Sequence, residues 1–125
     1  MKELNIEPGH FTPKVILNKI SEFTVILIIE GESYPENALS FYHDIKESII
    51  AVRESGLDID ITFNLSYFNS SSTIQILDIF DILSNKDYKG IVRLTWWCEE
   101  NDEDARESIE ELIADCTFEK KILVK

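Results

Sequence analysis

The sequence predicts an α/β domain: a mixed β-sheet with helices mainly on one face, in the order ββαβαβαβ over residues 1–125. Three observations lead there. Leu57, Ile59, Ile61, Phe63, Leu65 and Tyr67 alternate with Asp58, Asp60, Thr62, Asn64 and Ser66, the period-two pattern of a strand with one buried and one polar face. The segments flanking that strand repeat their apolar residues at three and four, the period of helices. The opening third holds two β-branched runs of strand length. A half-polar central strand places the helices on one side, because strands sandwiched between helix layers read as unbroken apolar runs.

The elements follow in order. Residues 1–13 contain Pro8-Gly9 and Pro13 and read as an irregular lead-in. Val15-Ile16-Leu17 and Phe23 to Ile29 form an opening hairpin across a short polar link. Ser33 and Glu36 have capping-box spacing, with Pro35 early in the helix. Ala38, Phe41, Tyr42, Ile45, Ile49 and Val52 make that helix's inner face, and Gly56 can end it in the left-handed conformation. After the alternating strand, Asn69-Ser70-Ser71-Ser72 leads into a helix over Thr73–Ser84, with Ser72 and Gln75 again at capping-box spacing. This helix is apolar around most of its circumference, Gln75, Asp78 and Asp81 forming its narrow polar stripe. In so small a domain a protein partner is expected to cover part of it. Gly90 marks a turn, Ile91–Trp97 a strand, Asn101–Asp115 an amphipathic helix, and Ile122-Leu123-Val124 a last short strand. Of the adjacent Trp96 and Trp97, strand geometry turns one into the core; the other is either an exposed anchor or packed as well.

Composition narrows the function. Twelve basic against twenty-four acidic residues give a net charge of −12, which repels nucleic-acid phosphates and anionic lipid headgroups. Neither nucleic-acid binding nor direct membrane insertion is expected, since the longest apolar run, Val25 to Ile29, is far short of a bilayer span. The N-terminus carries acids and no apolar signal core, so the expected location is cytoplasmic. Cys98 and Cys116 have neither CxxC spacing nor the number of a disulfide framework and read as reduced thiols.

Catalytic patterns are sparse. His10 and His43 cannot assemble a multi-histidine metal site, and no glycine-rich phosphate loop or GxSxG elbow is present. Asp78 and Asp81 share one side of a helix and read either as a solvated stripe or as an acid–base or metal pair of a small hydrolase. The non-enzymatic reading is the stronger, with no catalytic residue, metal or cofactor expected. The serine turn carries two readings of its own. Serines cap helix ends routinely. A phosphoryl group on one of these hydroxyls would also sit beside free backbone N–H groups at the positive end of the helix dipole.

Ser33-Tyr34-Pro35-Glu36-Asn37, Tyr67-Phe68-Asn69-Ser70-Ser71-Ser72, Asp78-Ile79-Phe80-Asp81-Ile82-Leu83 and Asp115-Cys116-Thr117-Phe118 stand in an order and spacing that resembles the SiaC family of bacterial regulatory phosphoproteins. The resemblance implies a STAS-like fold of the anti-sigma-factor-antagonist type and a partner-switching circuit. In that circuit a Ser/Thr kinase of the histidine-kinase-like ATPase type phosphorylates the protein and a PP2C-type phosphatase reverses it. The unphosphorylated form binds and activates a diguanylate cyclase, acting on cyclic-di-GMP and biofilm formation. The acceptor follows the asparagine of the turn, which places it at Ser70, with Ser71 and Ser72 as alternates. Asn69 would shape the turn, and Tyr34, Glu36, Asn37 and Asp78 would belong to the partner surface. An anti-sigma-factor antagonist that sequesters a kinase or anti-sigma partner is the alternative from the same resemblance.

Overall fold

The computed structural model describes Met1–Lys125. Its order is β1 (Leu4–Ile6), β2 (Lys14–Lys19), β3 (Thr24–Ser33), α1 (Ala38–Glu54), β4 (Asp58–Phe68), α2 (Ser70–Leu83), β5 (Val92–Cys98), α3 (Glu103–Ile113) and β6 (Glu119–Val124). The six strands lie side by side in chain order. β1, β2 and β3 pair antiparallel, whereas β3 through β6 run parallel. The mixed sheet is as expected, but the order gains a strand. The lead-in is not wholly irregular: Leu4 pairs with Leu17 and is buried, and Glu3 accepts a hydrogen bond from the Lys19 amide at 3.0 Å. Three residues are too short to show a period of two, so only pairing with β2 defines β1.

Side-chain alternation explains why one face carries the helices. Leu27, Ile61 and Leu94 are neighbours across β3, β4 and β5, as are Ile29, Phe63 and Trp96, and all six are buried. They join Tyr42, Ile45 and Ile49 of α1, Ile76, Ile79 and Phe80 of α2 and Ile109 and Leu112 of α3 in one core. The three crossovers from β3 to β6 step the same way across the sheet, and the right-handed rule for such connections then puts every helix on the same side. On the opposite face Ile26, Ile28, Thr62, Thr95 and Trp97 are half-buried. Trp96 is therefore the core tryptophan, and Trp97 lies half-covered on the open face of the sheet. No helix is long and apolar enough to cross a membrane.

Helix ends follow backbone needs. Gly56 takes φ +69° directly after α1, as the αL exit of that helix requires. Gly90 is needed for close approach, because a Cβ there would run into the Leu57 carbonyl and the Tyr88 ring. Gly90→Ala is expected to cost about 1–3 kcal/mol, the usual range for forced overpacking, read as a lowered urea midpoint at unchanged m-value.

Candidate functional site

The site grows from the C-terminal end of β4. Gly31 pairs with Leu65, but Glu32 pairs with Tyr67, so Ser66 is an extra residue in β4, its Oγ donating to the Gly31 carbonyl at 3.3 Å. One inserted residue flips the alternation that follows. Tyr67 thus departs from the apolar face it shares by pattern and is exposed, while Phe68 tilts against Trp96 with ring centroids 5.5 Å apart.

The chain enters α2 through Asn69, which is extended at φ −89° and ψ 176° and accepts the Ser72 amide on its side chain at 2.9 Å. This corrects the expected cap: Asn69, not Ser72, is the N-cap, and Ser70, Ser71 and Ser72 occupy the first three helical positions. The first helix has a parallel correction. Asn37, not Ser33, caps α1, accepting the Ser40 amide at 3.0 Å. Asn69→Ala is expected to cost about 1 kcal/mol, visible as a lower denaturation midpoint with the rest of the fold intact.

Ser33 and Ser72 are recruited elsewhere. Both are fully buried. Ser33 Oγ lies 2.6 Å from the Tyr42 hydroxyl and 2.8 Å from Ser72 Oγ, and Ser72 Oγ donates to the Ser33 carbonyl at 2.9 Å. The Asn69 amide donates to that same carbonyl at 3.1 Å. This hydroxyl network fastens the start of α2 to β3 and α1. Burial pushes the Tyr42 phenol up, with hydrogen bonds from Ser33 and Ser72 partly offsetting it.

Ser70 and Ser71, by contrast, are exposed, and they sit in the first turn, where backbone N–H groups lack helical acceptors. Ser70, Ile74, Leu77 and Asp81 recur at four, seven and eleven along α2, hence on one side of it. Ile74 and Leu77 are 58% and 41% exposed, an apolar surface beginning one turn from the serine. The polar stripe is narrower than expected. Gln75 is buried, its Oε1 accepting from Lys46 Nζ of α1 at 2.5 Å. Asp78 reaches the same lysine at 3.4 Å, whereas Asp81 lines a groove on the α3 side. The two carboxylates, neighbours at i,i+3 on α2, thus turn to different partners, Asp78 to Lys46 of α1 and Asp81 to the groove.

That groove, of about 760 Å³, runs between α2 and α3 and is bounded by Tyr67, Asn69, Ser70, Leu77, Asp81 and Asp115, among others. It exists because α2 packs closely on α1 but only sparsely on α3. Beside it, His10, Phe11, Tyr34 and Tyr67 form an edge-to-face row with centroid spacings of 5.2, 5.2 and 5.6 Å. Tyr34 of the expected partner surface is therefore in contact with Tyr67, itself next but one to Asn69. Glu36 is exposed in the loop before α1, and Asn37 is committed to capping. Phe11 and Tyr67 escape sequence reading. The first lies in a stretch without period, and the second is displaced by a bulge that only pairing reveals.

Comparison with known proteins gives consistent matches. A family model described as SiaC family regulatory phosphoprotein matches residues 6–124. An uncharacterized protein of Pseudomonas aeruginosa (strain UCBPP-PA14) is 32% identical over 96 residues, covering 74% of this chain and 75% of that protein. Among solved structures, the fold matches a chain of the crystal structure of diguanylate cyclase SiaD in complex with its activator SiaC from Pseudomonas aeruginosa. The TM-score is 0.87 at 25% identity, covering 98% of this chain and 99% of that one. It also matches apo-SiaC from the same organism, with TM-score 0.82, 25% identity and 98% of each chain covered.

Proposed function

The chain belongs to the SiaC family of regulatory phosphoproteins, and from that premise we propose that it is a non-enzymatic switch whose unphosphorylated form binds and activates a diguanylate cyclase. The observation that carries the proposal is the placement of Ser70: an exposed hydroxyl at the first position of α2, on the same side as the exposed Ile74 and Leu77. A partner that buries those two side chains must also cover the serine.

Phosphorylation adds about −1.5 to −2 charges at neutral pH. At the N-terminus of α2 that charge is tolerated by the helix dipole, so the fold need not change. The docking surface does change. Ile74 lies about 6 Å along the helix axis from Ser70, four residues at 1.5 Å each. No lysine or arginine lines the adjoining groove to neutralise a dianion, so covering it means desolvating an unpaired charge, which is costly. A Ser/Thr kinase of the histidine-kinase-like ATPase type would write the mark and a PP2C-type phosphatase erase it, in a cytoplasmic circuit. Ser70 is favoured over Ser72 because the latter's hydroxyl is buried and twice hydrogen-bonded. Tyr34 and Glu36 flank the docking surface, Asn69 shapes the turn, and Asn37 and Asp78 contribute through the start of α1 and the α1-facing edge of α2.

The test mixes the purified chain with the purified diguanylate cyclases of its own genome. One of them is expected to co-elute with it and to make cyclic-di-GMP faster in its presence. Capture of a kinase or anti-sigma partner alone, with every cyclase unbound and unaffected, would replace the proposal with a sequestering role.

A further inference from the structure

We infer that this chain forms a symmetric dimer through the free edge of β6, which runs antiparallel to the same strand of a second copy so that two sheets become one. This surface lies apart from the serine turn and the groove, so it stands or falls separately from the switch.

β6 closes the sheet on one side, and its backbone is only half engaged. The Lys125 amide donates to the Cys98 carbonyl at 3.0 Å, and the Lys125 carbonyl accepts from the Glu100 amide at 2.9 Å. Main-chain groups alternate in direction along a strand. Glu119, Lys121 and Leu123 therefore bond toward β5, and the N–H and C=O groups of Lys120, Ile122 and Val124 face outward. The two edges of the sheet differ. β1 is three residues long, and shortness protects an edge from pairing. β6 has six residues, keeps an unbroken register with β5 and contains neither proline nor bulge. A charge pointing into the sheet would also protect an edge, but the Lys120 ammonium is already held by the Ile113, Ala114 and Cys116 carbonyls at 2.8–3.0 Å.

Charge and symmetry select a second copy as the occupant. Antiparallel pairing centred on Ile122 sets that residue against Ile122 of the second copy and Lys120 against Val124, the positions whose main-chain groups face outward. The same register sets Glu119 against Lys125 of the second copy, and the reverse, on the open face of the sheet. Opposite charges so placed stabilise strand pairing. Their present partners, Arg93 for Glu119 at 3.2 Å and Glu99 for Lys125 at 3.7 Å, extend the row with alternating sign. Lys121 then lies beside Leu123 of the second copy, where its hydrocarbon stem covers the leucine.

The helix layer agrees. The two-fold axis of an antiparallel pair is perpendicular to the sheet, so both copies carry their helices on the same side. α3 crosses from β5 to β6, and two such helices stand about 10 Å apart across the joined edges, two strand spacings and an ordinary helix-packing distance. Ala105, Ser108 and Leu112 line the groove on the α2 side. Arg106 and Glu110, joined at 3.0 Å, lie on the other flank, toward the joined edge. The Lys120 bonds set the end of α3 level with the start of β6, so Ile122 comes level with the middle of the helix. Reversal by the axis then brings Arg106 across from Glu110 of the second copy, while Glu103 falls near the uncharged Ile113 end. The charge of −12 on each chain opposes the encounter at long range, and physiological salt screens it beyond about 8 Å. Ser70 and the groove lie beyond α3 from the axis and stay open on both copies.

Sedimentation equilibrium of the whole chain at physiological salt tests the dimer. At a concentration on the order of 0.1 mM, which populates a micromolar association, the mass is expected to approach twice the 14.5 kDa of one chain. Val124→Pro removes an outward N–H and leaves the β5 ladder whole, a position where edge strands accept proline. It should weaken association at least about tenfold with an unchanged circular dichroism spectrum. Arg106→Glu should weaken it as well, and the exchange Arg106→Glu, Glu110→Arg should restore it. Both residues are exposed, so the exchange decides alone if Val124→Pro disturbs the fold. A monomer at that concentration would overturn the inference, as would a dimer indifferent to the proline or one that the exchange fails to restore.

Discussion

Ser70→Ala is expected to abolish the phosphate that the proposed Ser/Thr kinase and ATP would transfer to this chain, while Ser72→Ala leaves incorporation stoichiometric. Intact-mass measurement reads both directly. The contrast comes from burial rather than from the residue type, since all three serines of the turn offer the same hydroxyl. Ser72 Oγ has no solvent exposure and is held by both the side chain and the carbonyl of Ser33. Presenting it to a kinase means lifting the first turn of α2 off β3, breaking the Asn69–Ser33 backbone bond as well. Ser70 needs no such opening. Ser71 is exposed too, so Ser71→Ala is the sharper control, and full labelling of that variant is expected. Labelling that survives in Ser70→Ala but vanishes in Ser71→Ala would move the acceptor by one residue.

Trp96→Ala is expected to destabilise the fold by about 3–5 kcal/mol, the usual cost of truncating a buried tryptophan. That is a large fraction of the stability of an ordinary domain. Trp96 is fully buried and stacks on Phe63 with centroids 4.5 Å apart. Phe63 meets Phe80 at 5.9 Å, and Phe80 meets Phe118 at 6.1 Å. The ring thus anchors an aromatic layer under α2, beside the Phe68 that leads into the serine turn. Its Nε1–H is buried without an acceptor, a defect worth about 1–3 kcal/mol. Trp96→Phe removes that defect while keeping a ring in the stack, so its loss should be distinctly smaller than that of alanine. Urea unfolding followed by circular dichroism separates the two; equal losses would mean that the retained ring contributes nothing to the stack.

Much of the fold was legible because its signals are local. The alternation from Leu57 to Leu65 gave the central strand and its buried face, and the three-and-four spacing gave α1 down to its glycine exit. What escaped depended on partners distant in sequence. The β4 bulge sends Tyr67 outward, and nothing within the strand announces it. Both expected serine caps fail for one reason: an asparagine within one helical turn of sequence caps equally well, which frees Ser33 and Ser72 to meet each other across thirty-nine residues. Local spacing cannot encode that meeting. For the site, the apolar excess of α2 pointed correctly to an uncovered surface, now located at Ile74 and Leu77. The groove itself depends on how far α3 stands from α2, a tertiary distance with no sequence signature.

The most direct test of the proposed switch is a calorimetric titration of the diguanylate cyclase proposed as its partner with two forms of this chain, unmodified and stoichiometrically phosphorylated at Ser70. The unmodified form is expected to bind, and the phosphorylated form to bind at least about tenfold more weakly, a difference of some 1.4 kcal/mol, with both giving the same circular dichroism spectrum. Equal affinities for the two forms would contradict the account.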